Sequence, residues 1–243
     1  MSLAYYLEKT FMTWNRIALF AVLTAWGTIS PSQAAYVTPQ MGGGQVGMMG
    51  APMKHTDIMF DGTNISLHVD DTVATPELRP LTPPDEFDPA QPWSVLTDKA
   101  YNFQHAWNPG GFITLPSGTG IWIERLSSDA ELEAYLRPPA FVSGATWPEI
   151  LSAAGDRWKW SGAMQHNAYA VLNPLQSSYS ATYLVYIGDV TTGEPALGYG
   201  SAEVTWEWTA TPVPEPGTWA LAAVGLLGLA CARRGRDRAR TRH

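Results

Sequence analysis

Residues 202–209, with the sequence AEVTWEWT, alternate strictly between apolar and polar side chains. Successive side chains of a β-strand point to opposite faces of a sheet, so this segment places Trp206 and Trp208 on the same face. The pattern predicts a half-buried strand in an antiparallel sheet. Residues 63–69, TNISLHV, alternate in the same way. The chain is therefore predicted to fold around paired strands.

Five other segments combine strand-forming residues with flanking turn residues. They are GFITL (111–115), GIWIERL (120–126), DRWKWSG (156–162), QHNAYAV (165–171) and SATYLVYIGD (180–189). Two short helices are also expected. SDAELEAYL (128–136) begins with Ser128 and has Glu131 three residues later, as in a capping box, and WPEILSAAG (147–155) has Pro148 in its first turn. The predicted fold is a mainly-β, antiparallel sandwich-like single domain over residues 54–211, with these two helices.

The beginning of the sequence has the pattern of a secretory signal peptide. Residues 17–26, IALFAVLTAW, form an apolar core behind Lys9 and Arg16. Small residues then precede a cleavage site between Ala34 and Ala35. Translation from Met12 instead of Met1 would shorten the basic flank to Arg16 and keep the apolar core and the cleavage site. We therefore expect residues 1–34 to be a signal peptide and the rest of the chain to be exported.

Residues 212–243 combine three features in order. Pro214, Glu215 and Pro216 come first, the uncharged segment 219–232 follows, and six arginines come after it. The apolar segment is shorter than the ~20 residues of a stable transmembrane helix. The arginine cluster resists translocation and would keep that end on the cytoplasmic side. A permanent tail anchor is the alternative interpretation of this segment.

The order of these features resembles the PEP-CTERM sorting signal of Gram-negative bacteria, over about residues 212–240. The resemblance implies recognition of Pro214, Glu215 and Pro216 by an exosortase, an integral-membrane processing enzyme. It also implies transient anchoring in the inner membrane by a hydrophobic sorting helix, followed by transfer to the cell surface or to an exopolysaccharide-rich matrix. The resemblance covers only the tail and does not describe the domain before it.

The charge of the exported part excludes one class of partner. Between residues 35 and 216, seven Lys and Arg residues accompany 20 Asp and Glu residues, a net charge of −13 against −7 for the whole chain. Nucleic acid binding requires a basic surface, so we expect no nucleic acid partner. The one cysteine, Cys231, lies in the tail. The exported domain must therefore be held together by its core instead of by disulfides.

Residues 35–53 are rich in Gly and Met and show no apolar periodicity, which predicts a flexible lead-in. Thioether sulfur favours Cu(I), and imidazole binds copper or zinc, so the methionines and histidines suggest a metal site assembled by folding. Its candidate ligands are Met48, Met49, Met53, His55, His68, His105 and His166. Solvated or structural histidines, with no cofactor, are the simpler interpretation.

The sequence suggests two other kinds of site, a sugar contact and a glycosidase site. Trp107, in a predicted loop, is the best candidate for an exposed contact with sugar, whereas the pairs Trp158 with Trp160 and Trp206 with Trp208 should face the core. Paired carboxylates such as Asp70 with Asp71 or Glu124 with Asp156 suggest a glycosidase only if they flank a cleft. The sequence has no catalytic motif, so we do not expect an enzyme.

The leading hypothesis is an exported matrix protein with a structural or binding role. Metal binding is the alternative, and a matrix hydrolase is the third hypothesis.

Overall fold

The computed structural model describes residues 34–138 and 145–212 of the chain. Within these ranges the protein is mainly β, as the sequence predicts. The strands, in chain order, are β1 (Tyr36–Val37), β2 (Lys54–Phe60), β3 (Ile65–Val69), β4 (Glu77–Leu78), β5 (Glu86–Phe87), β6 (Lys99–Asn102), β7 (His105–Pro109), β8 (Thr119–Ser128), β9 (Glu133–Tyr135), β10 (Arg157–Lys159), β11 (Ala168–Leu172), β12 (Ser178–Asp189) and β13 (Ala202–Ala210). Two short 3-10 turns occupy Met48–Gly50 and Pro92–Leu96.

The largest sheet has five strands in the order β10-β8-β12-β13-β4. Its centre is antiparallel, and β13 lies between β12 and β4. Two three-stranded sheets have the orders β6-β11-β9 and β3-β2-β7, and β1 pairs with β5. The pairs β13–β4, β2–β7 and β1–β5 are parallel. The five-stranded sheet and the sheet β3-β2-β7 are therefore mixed, whereas β6-β11-β9 is antiparallel. Among the described residues, the predicted antiparallel pairing holds for every strand pair except these three parallel ones.

The alternating face of β13 supplies the centre of the main core. Trp206 and Trp208 are 1% and 0% exposed, as their alternation predicts. Trp206 stacks on Trp107 of β7, with ring centroids 4.2 Å apart, and meets Tyr169 of β11 edge-on at 5.6 Å. The five-stranded sheet thus packs against both three-stranded sheets through aromatic contacts, which gives the sandwich-like arrangement its buried layer.

A second core joins the start of the domain to β6. Tyr101, Phe103, Trp147 and Phe87 pack there together with Met41 and Ala51. The Tyr101 hydroxyl donates to the Gly44 carbonyl at 3.0 Å and is fully buried. The sequence predicts a flexible lead-in over residues 35–53; within it, residues 41–44 and Ala51 are buried against this core, whereas Met48 and Met49 are exposed. Gly43 has a φ of +77° and lies against the Tyr101 carbonyl, a close approach that only glycine permits.

Neither of the two predicted helices forms, so both predictions are wrong. The first contains β9 instead, and the second is extended and bridges to it, with the Ile150 N–H donating to the Ala134 carbonyl at 2.8 Å. The buried Arg125 guanidinium donates to the carbonyls of Leu132 and Leu151. These tertiary hydrogen bonds pair the Ile150 N–H and the carbonyls of Ala134, Leu132 and Leu151, groups that a helix would pair within its own segment. Among the predicted strands, GFITL (111–115) is a loop, and the other four lie on β8, β10, β11 and β12.

Candidate functional site

Three of the candidate histidines lie in or beside the junction between β2, β7 and β11. His105 is 1% exposed, and its Nε2 lies 3.1 Å from the Glu207 carbonyl of β13. Its ring stacks on Trp206, with centroids 4.5 Å apart and an interplanar angle of 8°. Burial lowers the pKa of His105 to about 3, so the ring is neutral at any ordinary pH. His105 is therefore an uncharged part of the core, with Nε2 as the donor to Glu207.

His55 and His166 form a pair beside this core. Their ring centroids are 5.9 Å apart, and the planes are inclined at 59°. His166 Nδ1 lies 2.7 Å from the Phe103 carbonyl, so Nδ1 carries the proton and Nε2 carries a lone pair. Burial lowers the pKa of His166 to about 4, and the charge of Arg137 contributes in the same direction. The Nε2 atoms of both rings are buried without a hydrogen-bond partner.

Three of the other candidate metal ligands, Met48, Met49 and His68, are exposed. Met48 and Met49 lie on a 3-10 turn, with 58% and 100% of their surface exposed. His68 is on the exposed face of β3, in register with Asp57. Met53 is half-buried, two residues before His55. Over the part of the chain that the structure describes, no three His, Cys, Asp or Glu residues are arranged to hold a metal ion.

The prediction that Trp107 is an exposed sugar contact is wrong. Trp107 is 0% exposed because it lies in β7 and stacks on Trp206. Trp160 is 4% exposed, and Trp158 packs against the main core, as their shared strand face predicts. Phe112 is instead an exposed aromatic residue, with 97% of its surface accessible, and Tyr36 is 65% exposed.

Phe112 belongs to a groove of about 490 Å³ that the sequence analysis did not anticipate. Ile113, Leu115 and Trp160 supply further apolar lining, and Lys159 and Ser161 supply polar groups. The groove forms because GFITL (111–115) leaves the sheet as a loop. The amino-acid composition did not predict the groove, because the same five residues also fit the pattern of a strand.

A second groove, of about 760 Å³, lies between the Pro-rich connection and β6. Lys99 lines it and forms an ion pair with Glu133, and the Lys99 ammonium also donates to the Tyr135 hydroxyl at 2.6 Å. These hydrogen bonds raise the pKa of Lys99 although burial opposes them. The ion pair and the hydrogen bond join β6 to β9, and they keep the Lys99 ammonium protonated.

The carboxylates considered for hydrolysis are engaged in local structure. Asp70 Oδ1 accepts from the Thr72 backbone N–H at 3.0 Å. Glu124 forms an ion pair with Arg157 at 3.1 Å. Asp156 Oδ2 accepts from the Ala153 N–H at 2.9 Å, which closes a turn. These contacts give each of these three carboxylates a structural role. Asp71, the fourth, is exposed and lies 4.0 Å from Lys54 Nζ.

The sorting segment begins where the described residues end. β13 ends at Ala210, and the exposed Thr211 and Pro212 follow it. Pro214, Glu215, Pro216 and the apolar segment 219–232 lie outside the described residues, as does the signal peptide up to residue 33. Ala34 and Ala35 are exposed, and cleavage between them stays a prediction. Across residues 34–138 and 145–212, no helix has the length and apolar character needed to cross a membrane.

Comparison with known families identifies the tail. Residues 212–234 match the PEP-CTERM protein-sorting motif. The match confirms the resemblance drawn from the sequence, and it implies an extracytoplasmic protein that an exosortase-type enzyme processes. Comparison of the whole chain with curated proteins and with solved structures finds no match.

Proposed function

We propose that this protein is a non-catalytic component of the cell-surface matrix, released there after exosortase processing, and that it contacts exopolysaccharide. The observation that carries the proposal is the sorting motif at residues 212–234, which follows the last core strand after a single residue, Thr211. A folded domain joined so closely to a processing signal is cargo for that signal. The domain itself then supplies the structural or binding role.

The groove beside Phe112 supports a binding role. An exposed aromatic ring can stack on the apolar face of a sugar, and neighbouring polar groups can hydrogen-bond its hydroxyls. Phe112 provides such a ring, while Lys159 and Ser161 provide the polar groups. The net charge of −13 between residues 35 and 216 favours a neutral or cationic polysaccharide over an acidic one.

The processing step is tested by changing the motif in an exosortase-containing host. Pro214→Ala combined with Pro216→Ala should leave a longer protein in the membrane fraction, because two alanines no longer hold the segment extended. Thr211→Ala, a change outside the Pro-Glu-Pro triplet, is the matched control and should be processed normally. Equal release of the double variant and the wild type would contradict exosortase processing.

Matrix contact is tested separately with purified exopolysaccharide from the same host. Phe112→Ser should reduce co-sedimentation with the polysaccharide, because it removes the exposed ring. Leu197→Ser is the matched control, since Leu197 is 98% exposed but does not line the groove. If both variants bind like the wild type, this groove is not the contact surface.

A further inference from the structure

We propose that His55 and His166 form a two-imidazole site for the monovalent soft ion Cu(I). This inference goes beyond the matrix role and does not depend on it. It rests on the contacts of the two rings, and it differs from the site suggested by the sequence, because Met48, Met49 and His68 take no part.

The separation of the rings fits a shared ion. A metal–imidazole bond of about 2.0 Å and a ring radius of about 1.2 Å place two ligating ring centroids between about 5 and 6.4 Å apart, from tetrahedral to linear N–metal–N angles. The observed separation of 5.9 Å lies within this range and corresponds to an N–metal–N angle of about 135°.

The chemical state of His166 also fits a ligand. Its Nδ1–H donates to the Phe103 carbonyl, so the Nε2 lone pair is free to bind. Metal-bound histidines commonly have this outer hydrogen bond, which fixes the tautomer and the ring orientation.

An unpartnered buried nitrogen is costly and requires an explanation. Leaving a buried polar atom unsatisfied costs about 1–3 kcal/mol, and the pair contains two such atoms. One ion between the two Nε2 atoms would satisfy both of them. A bridging water would also do so, and metal titration distinguishes a bound ion from a bound water.

The surroundings favour a singly charged ion with few ligands. No third His, Cys, Asp or Glu completes a metal-binding group around the pair within the described residues. Zinc sites usually have four ligands, and two imidazoles without further donors are too few for that geometry. Imidazole is also a ligand of copper, which leaves copper as the ion for this pair. The guanidinium of Arg137 lies close enough to His166 to disfavour added positive charge, which opposes a divalent ion more than a monovalent one.

The test titrates the purified full-length protein with Cu(I) against a chromogenic Cu(I) chelator, and with Zn(II) in parallel. We expect one equivalent of Cu(I) to bind more tightly than micromolar, and Zn(II) to bind more weakly. His55→Ala and His166→Ala should each weaken Cu(I) binding at least about 100-fold, since even the loss of an outer-shell partner costs 10–100-fold. His68→Ala, which changes an exposed histidine on β3, is the matched control and should bind like the wild type.

X-ray absorption of the Cu(I)-loaded wild type gives a second measurement that does not depend on variant folding. Two nitrogen ligands with imidazole scattering and no sulfur would support the proposal. Absence of binding at micromolar Cu(I) would overturn it and would leave water as the occupant. A sulfur ligand, or an equal loss of affinity in His68→Ala, would also overturn it.

Discussion

The imidazole of His105 lies flat on the indole of Trp206, with ring centroids 4.5 Å apart. His105 also donates through Nε2 to the Glu207 carbonyl, the residue that follows Trp206 in β13. One side chain of β7 therefore contacts both the ring and the backbone of the central strand. This contact requires a neutral imidazole, since protonation would bury a charge in the middle of the aromatic core.

We expect the protein to lose stability in mild acid because of this contact. The pKa of His105 is about 3 in the folded protein and about 6.5 in the unfolded chain, so the unfolded state binds more protons at intermediate pH. The stabilisation is complete above about pH 6.5 and is lost as the pH falls towards 3, at about 1.4 kcal/mol per pH unit. His166, with a pKa of about 4, adds a slope of the same sign.

Urea unfolding at pH 7.5, 6 and 5 measures this slope. His105→Gln keeps an N–H donor for the Glu207 carbonyl but does not titrate, so its slope should be smaller by about one proton. The exposed His68 is the control, and His68→Gln should keep the wild-type slope. An unchanged slope in His105→Gln would show that His105 does not carry the acid sensitivity.

The second prediction concerns the packing of residues 36–53. A Cβ on Gly43 would lie 2.0 Å from the Tyr101 carbonyl oxygen, and the φ of +77° also disfavours a side chain. Gly43→Ala should therefore lower the free energy of unfolding by more than about 2 kcal/mol and expose the segment to protease. The measurements are urea unfolding and limited proteolysis.

Gly62→Ala is the matched control for this change. Gly62 has a φ of +99° but no atom within 4 Å of an added Cβ, so only the backbone cost of about 1–2 kcal/mol applies. If Gly43→Ala costs no more than Gly62→Ala, the close approach to Tyr101 does not hold the segment in place.

The third prediction concerns the buried hydrogen bond from the Trp206 indole to Thr56 Oγ1, at 2.8 Å. Thr56→Val keeps the side-chain shape but leaves the indole N–H without an acceptor. We expect a loss of about 1–3 kcal/mol in the free energy of unfolding, measured in urea. Thr182→Val removes a similar bond to Thr205 on the exposed face and should cost less than about 0.5 kcal/mol. Similar losses in the two variants would contradict a special cost for the buried bond.

The sequence predicted those elements that have a periodic pattern. The burial of Trp206 and Trp208 followed from the alternation in β13, because a strand with one buried face leaves that trace directly. The capping-box pattern at Ser128 and Glu131 was misleading, since Arg125 and the bridge to Glu149 bind the same segment in an extended form. Such contacts join residues distant in sequence and leave no local periodicity.

The candidate site was predictable only in its residue types. Seven methionines and histidines were singled out, and nothing in their spacing distinguished His55 and His166 from the others. Their approach depends on the parallel pairing of β2 with β7 and on the hydrogen bond from His166 to Phe103. The prediction that Trp107 is exposed was wrong for the same reason, because the residues that pack against Trp107 in the core come from another part of the chain.

The position of β13 also determines when the core can close during export. A chain that leaves the cytoplasm from its amino end delivers residues 202–210 after every other strand of the domain. Those residues fill the gap between β12 and β4 and bring in the two central tryptophans. Until they emerge, β12 lacks a neighbour on that side and Trp107 lacks its stacking partner. In a chain exported in this direction, completion of the fold is thus a late event, and the edge of β12 stays unpaired until then.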